Sequence, residues 1–198
     1  MTDFHQDYIS HVVKHIPGFT SPEFLTELYR MALGKRMVVE IGAFKGRSTA
    51  VLAKACSGLV YAIDIWDNRM YSPDTFDAKD GYATSIDKCL TYRIWFHNMR
   101  LLGVDTKVLP MIGNSHWLER YFPPKSIDLL FVDGDHSEHM VLKDLQLYLP
   151  KLGDGGVMCG DDYDMPSVRR PVDAMAMTNG FRVETFDGGK GWVYRQYS

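Results

Sequence analysis

The chain is poor in cysteine: Cys56, Cys89 and Cys159 are the whole complement of its 198 residues. An odd number cannot all pair, and none of the three stands in C-x-x-C spacing. A disulfide scaffold, a zinc knuckle and a dithiol redox motif are thereby excluded, and reduced thiols in a cytoplasmic protein are expected. No apolar run is long enough to cross a bilayer, so no membrane partner is expected. Residues 1–17 carry Asp3, His5, Gln6 and Asp7 and lack the apolar region of a signal peptide. Basic tracts are missing too. The net charge is −3 and close basic residues occur only as scattered pairs, such as Lys45 with Arg47 and Arg169 with Arg170, so nucleic acid is not an expected partner. There is no internal repeat, low-complexity stretch or linker. With 45% hydrophobic residues, one domain over 1–198 with a sizeable core is the expectation.

What is present alternates. Residues 3–15 and 21–33 read as helices; Ser21 before Pro22 is a capping residue followed by proline at the first helical position, and Gly34 is a natural stop. Apolar, β-branched runs at 36–41, 59–65, 108–112, 127–132 and 155–159 read as strands. Helical periodicity separates them at 48–55, 83–102 and 137–149. Near-continuous apolar strands alternating with helices imply a parallel sheet covered on both faces. Residues 181–186 and 191–197, flanking Asp187-Gly188-Gly189-Lys190, read as a closing antiparallel hairpin. The expectation is a doubly wound, Rossmann-like α/β fold with a mostly parallel seven-stranded sheet. The polar, aromatic segment 66–82 follows a strand and is the expected lid loop.

Ligands of open α/β sheets bind beyond the carboxyl ends of the strands. The first such turn reads V-V-E-I-G-A-F-K-G-R-S-T, residues 38–49. A dinucleotide fingerprint, G-x-G-x-x-G, is absent. Gly42 would let a ligand approach the backbone and Gly46 would let a helix start tightly, a turn suited to a phosphate-free ligand. Asp64, about 20 residues beyond Gly42, ends the second strand and can accept from both hydroxyls of a ribose. In G-N-S-H-W, 113–117, small polar groups could reach an adenine edge, with Trp66 or Trp117 stacking on it. Lys45 and Arg47 could bind a substrate anion, although solvated charges are the default reading. His11 and His15 lack a third metal ligand, and His139 reads as a surface residue.

The run E-I-G-A-F-K-G-R-S resembles the first motif of class I methyltransferases, particularly the small catechol- and caffeoyl-type O-methyltransferases. I-D-L-L-F-V-D-G-D-H-S-E-H-M-V-L-K-D-L, then L-P-K-L-G-D-G-G-V-M-C-G-D-D-Y, resembles the group holding macrocin-type sugar O-methyltransferases and cephalosporin-hydroxylase-like proteins. The similarity covers roughly residues 37–172. It implies S-adenosylmethionine as cofactor, with Glu40, Gly42, Ala43, Phe44, Gly46 and Ser48 around its methionine end. Asp64 would hold its ribose and Asn114 and Ser115 its adenine, with Trp66 and Asp133 completing the pocket.

Asp133 ends one strand, and Asp161 and Asp162 follow the next. Carboxylates brought together at neighbouring strand ends repel unless protonated or neutralised. A divalent cation on Asp133, Asp161 and Asp162 is the expectation, and oxygen-only ligands favour magnesium. Methyl transfer needs the nucleophile, carbon and sulfur in line. A metal-bound hydroxyl loses its proton more readily, and His136, or alternatively Asp133, would take it. In catechol-type relatives a lysine stands at the position of His136 and an asparagine at that of Asp162. The Asp–Asp pair therefore tilts the acceptor towards a sugar-like or natural-product hydroxyl. Tyr163 and the segment 165–173 form the expected substrate rim, where Arg169 and Arg170 could recognise an acidic substrate. An oxidoreductase on the same scaffold and a non-catalytic cofactor-binding module are the alternatives. A homodimer through 3–33 is one reading of the terminal helices.

Overall fold

Val38 and Val39 are adjacent, point to opposite faces of their strand and are both fully buried. A strand apolar on both sides needs cover on both sides, and the sheet built around it has it. The computed structural model describes residues 3–67 and 90–196. Its strands are β1 (Met37–Ile41), β2 (Leu59–Asp64), β3 (Val108–Ile112), β4 (Ile127–Val132), β5 (Leu152–Gly160), β6 (Phe181–Phe186) and β7 (Gly191–Gln196). They form one sheet in the order β3-β2-β1-β4-β5-β7-β6. The first five run parallel, and β7 lies antiparallel between β5 and β6. This is the expected Rossmann-like doubly wound architecture with its closing hairpin.

One face packs against α1 (Asp3–His15), α2 (Pro22–Ala32), α3 (Arg47–Ala55) and α4 (Leu90–Leu101), with Leu28, Val51, Trp95 and Phe131 in its core. The other carries α5 (Ser115–Leu118), α6 (Glu138–Tyr148) and α7 (Pro166–Asn179), with Leu145, Tyr148, Val172 and Trp192 inside. Cutting such a side chain to alanine costs about 2–5 kcal/mol. α2 starts as its sequence implies: Ser21 Oγ accepts from Phe24 N at 3.0 Å, and Pro22 opens the helix.

Two elements differ from expectation. The rim segment 165–173 is part of a helix, α7, opened by Pro166 and ended by Gly180 in the left-handed region at φ 69°. Strand β5 begins at Leu152, and an irregularity in its register with β4 lies between Ile127 and Leu129. Helix α4 is seen from Leu90; 83–89 and the lid residues 68–82 lie outside the described residues. Among the described residues no helix is long and apolar enough to cross a membrane.

Register positions the site. Ile41 pairs with Ile63 on one side and Val132 on the other, and Val132 pairs with Gly160. The residues that follow (Gly42, Asp64, Asp133 and Asp161) therefore emerge along one edge. That edge includes the β1/β4 boundary, where the strand order reverses.

Candidate active site at the carboxyl edge of the sheet

The turn after β1 is braced from below by Glu40. This fully buried carboxylate accepts from the hydroxyls of Ser48 and Thr49 on the first turn of α3. Burial pushes its pKa up to about 7 against the opposing pull of those two bonds, and the nearby Asp64 adds to the rise. Glu40 and Ser48 thus lock strand to helix beneath the expected cofactor pocket. Thr49, which also accepts from Trp95 Nε1 at 3.2 Å, was not singled out from sequence, although an adjacent second hydroxyl was the available signal.

Gly42 is required by the neighbouring strand. Its φ is 94°, and a Cβ there would lie 1.8 Å from the carbonyl oxygen of Asp133. Gly46, at φ 89°, caps α3 where a Cβ would strike Met99 and Trp95 of α4. Ala43 is buried, while Phe44 remains partly open with φ 45°.

Asp64 closes the turn from the side. Its Oδ2 accepts from Phe44 N at 2.8 Å and its Oδ1 from Trp66 N at 2.7 Å. Trp66 donates Nε1–H to Phe44 O at 2.7 Å and is only 2% exposed, packed against Tyr92 and Trp95. The structure makes Trp66 a core wall instead of a stacking face; Trp117, 73% exposed, keeps an open ring. Asn114 caps α5 by accepting from His116 N at 2.8 Å, and the Ser115 hydroxyl turns away to Asp144 at 2.6 Å. Lys45 and Arg47 are not solvated charges. Lys45 is 2% exposed with Nζ 4.9 Å from the Phe44 ring centre. Arg47 donates to the carbonyls of Ile16 at 2.7 Å and Thr20 at 3.0 Å.

The acidic residues meet as expected, with one change of membership. Donor atoms of Asp133, His136 and Asp162 all lie within 4.8 Å of one another, a trio in which His136 stands where Asp161 was expected. His136 Nε2 is 2.9 Å from Asp162 Oδ2 and 4.0 Å from Asp133 Oδ1. Asp161 lies alongside in the same cleft, its Oδ1 accepting from Asp162 N at 2.8 Å. Burial and then the charges of Asp161 and Asp162 raise the Asp133 carboxyl well above its ordinary range. Burial, opposed by the Asp162 N–H bond and reinforced by the charges of Asp162 and Asp187, lifts Asp161 to about 6. The hydrogen bond to Asp162 raises His136 against the effect of burial. Asp135 caps the following turn, accepting from Ser137 N at 2.7 Å. Arg170 of the expected rim pairs with Glu138 at 2.8 Å, and Tyr163 donates to Asp173 at 2.7 Å.

Two crowded carboxylates and an imidazole can hold a divalent cation or pass a proton. Solved structures share this fold. Over 93% of this chain and 95% of its own, a precorrin 8w decarboxylase of Methanobacterium thermoautotrophicum superposes with TM-score 0.65 at 20% identity. An O-methyltransferase of Bacillus cereus in complex with SAH gives 0.64 at 18% identity over 98% and 90%. A SAM-dependent O-methyltransferase of Thermotoga maritima gives 0.66 at 13% over 96% and 72%. An uncharacterized protein of Acanthamoeba polyphaga mimivirus is 39% identical over 57 residues, which span only 26% of its length and 25% of this chain. Residues 39–163, from the middle of β1 through the acidic edge, match the family described as "Methyltransferase domain", and the chain belongs to that family.

Proposed function

We propose that the protein transfers a methyl group from S-adenosylmethionine to a hydroxyl of a small molecule, of sugar-like or natural-product type. The observation that carries this is the juxtaposition at one sheet edge. The turn 42–46 lacks the phosphate-binding glycine pattern, and it shares backbone contact with the acidic strand end at Asp133. Solved relatives of the same fold named as SAM-dependent or SAH-bound O-methyltransferases support the reading.

The chain's own groups have distinct tasks. The turn held by Glu40 and Asp64 would seat the donor's methionine and ribose, and Asn114 and Ser115 would flank its adenine. Transfer needs alignment, so the rigidity of that turn matters directly. His136 would take the acceptor's proton, oriented by Asp162 as a base by its partner carboxylate. Asp133 and Asp162, with Asp161 beside them, fit a divalent cation because their mutual repulsion is otherwise relieved only by protonation. When bound, magnesium or a similar ion would lower the pKa of a coordinated hydroxyl. His136 is kept for the proton, because its Nε2 faces Asp162 at hydrogen-bond distance.

The test is calorimetric titration with S-adenosylhomocysteine and with NAD, followed by a screen of hydroxylated acceptors for methyl incorporation with and without chelator. Binding of the first ligand alone is expected. Binding of NAD instead would overturn the proposal, and chelator-insensitive turnover would remove the cation from it.

A further inference from the structure

Away from the acidic edge, a second polar cluster is buried between the turn after β3 and helix α6. Asp144 is 2% exposed, and its Oδ1 accepts from Ser115 Oγ at 2.6 Å. His116 Nε2 approaches the same oxygen at 3.4 Å, with no hydrogen-bond partner of good geometry. One turn further along α6, Tyr148 donates its hydroxyl to Ser115 O at 2.9 Å. At its start the turn is tied back to the pocket, Gly113 N donating to Asp64 O at 2.9 Å. Residues 113–116 are thus held to β2 at one end and to α6 at the other.

A carboxylate is a costly choice for this position. An apolar side chain would fill a helix–sheet interface without a desolvation penalty. The geometry points to Asp144 as a positioning residue: its ionised carboxylate fixes the Asn114–Ser115–His116 turn in the arrangement that receives the donor's adenine. This rests on the adenine reading given under the proposed function. The charged form makes the stronger bond to Ser115 and attracts the imidazole N–H.

The titratable groups facing Asp144 are His116 on α5 and Asp135 in the loop after β4, with Tyr148 on its own helix. Helix α7 meets α6 through apolar residues, including Val168 and Val172, with the Arg170–Glu138 pair as its charged contact. Burial lifts Asp144 to about 6, opposed by Ser115 and then by His116. The carboxylate is therefore charged at neutral pH and lost below about 6.

The experiment is titration of the full chain with S-adenosylhomocysteine at neutral pH and at about pH 5, for the wild type, Asp144→Asn and Tyr148→Phe, with thermal melts of each. At neutral pH, Asp144→Asn should bind about fivefold more weakly, as a charged bond becomes a neutral one. At the acidic pH the wild type and this variant should converge. Asp144→Asn should also melt higher at neutral pH, which a merely structural role would reverse. Tyr148→Phe should weaken binding by about threefold without altering the pH profile. Wild-type binding with Asp144→Asn unchanged in affinity and profile would overturn the positioning role alone. A wild type that binds none of the ligand would overturn the adenine reading and this role with it.

Discussion

Replacing Gly42 with alanine tests how the cofactor turn and the acidic strand depend on each other. The added Cβ would lie 1.8 Å from Asp133 O and 2.4 Å from its carbonyl carbon. Ordinary contact needs about 3.5 Å, so one backbone must retreat by roughly 1.7 Å. That retreat would strain the 2.8 Å bond from Asp133 N to Ile41 O and carry the Asp133 carboxylate away from Asp162. The φ of 94° adds a conformational cost of about 1–3 kcal/mol. Overpacking contributes a similar amount, so about 4 kcal/mol in all is expected. For a domain of this length that is a fall of about 10 °C in Tm. Gly34→Ala is the control. Its φ is 71°, but no atom lies within 4 Å of the new Cβ, so only the conformational cost remains. It should lose about 5 °C. Circular dichroism melts of both variants, with S-adenosylhomocysteine titration, decide the matter. If Gly42→Ala melts within about 2 °C of Gly34→Ala and binds ligand normally, the contact reasoning is wrong.

Three further outcomes follow from the geometry. Asp64→Asn keeps one acceptor for the two amides of Phe44 and Trp66 and should weaken S-adenosylhomocysteine binding by about tenfold; an unchanged Kd in calorimetry would refute it. Asp162 sits at φ 60°, which asparagine tolerates, so Asp162→Asn should fold normally while losing divalent-cation affinity and lowering the His136 pKa, both readable by manganese titration and NMR. Asp144 is raised from 3.8 to about 6 on folding, so the native state holds its proton longer than the unfolded chain. Its contribution to stability is therefore greatest below about pH 4 and falls by about 3 kcal/mol as pH rises through 6; Asp144→Asn should remove that share of the slope in urea melts taken across this window.

The parallel strands were legible because burial on both faces leaves apolar runs such as Ile127–Val132, and the hairpin because Asp187-Gly188-Gly189-Lys190 marks a reversal. Helix α7 was not legible. Pro166, the Arg169–Arg170 pair and an internal Pro171 mimic a loop, and the signal that remained was the spacing of Val168, Val172 and Ala176. At the site, sequence placed the acidic residues on one edge, since strand ends follow from topology. It did not show which atoms converge, because the positive φ of Asp162 rotates that side chain towards His136. Arg47 and Trp66 were misread because their partners are backbone carbonyls distant in the chain, which leave no local pattern; Lys45 was misread because it is buried with its ammonium beside the ring of its neighbour Phe44.

Arg47 opens α3, directly after the cofactor turn, and its guanidinium reaches back to the loop that joins α1 to α2. That loop passes so near the arginine stem that Gly18 has no room for a methyl group without displacing it. Residues 16–20 are thus a latch on the cofactor turn, and removing them would strip the half-buried Arg47 guanidinium of the carbonyls of Ile16 and Thr20 to which it donates.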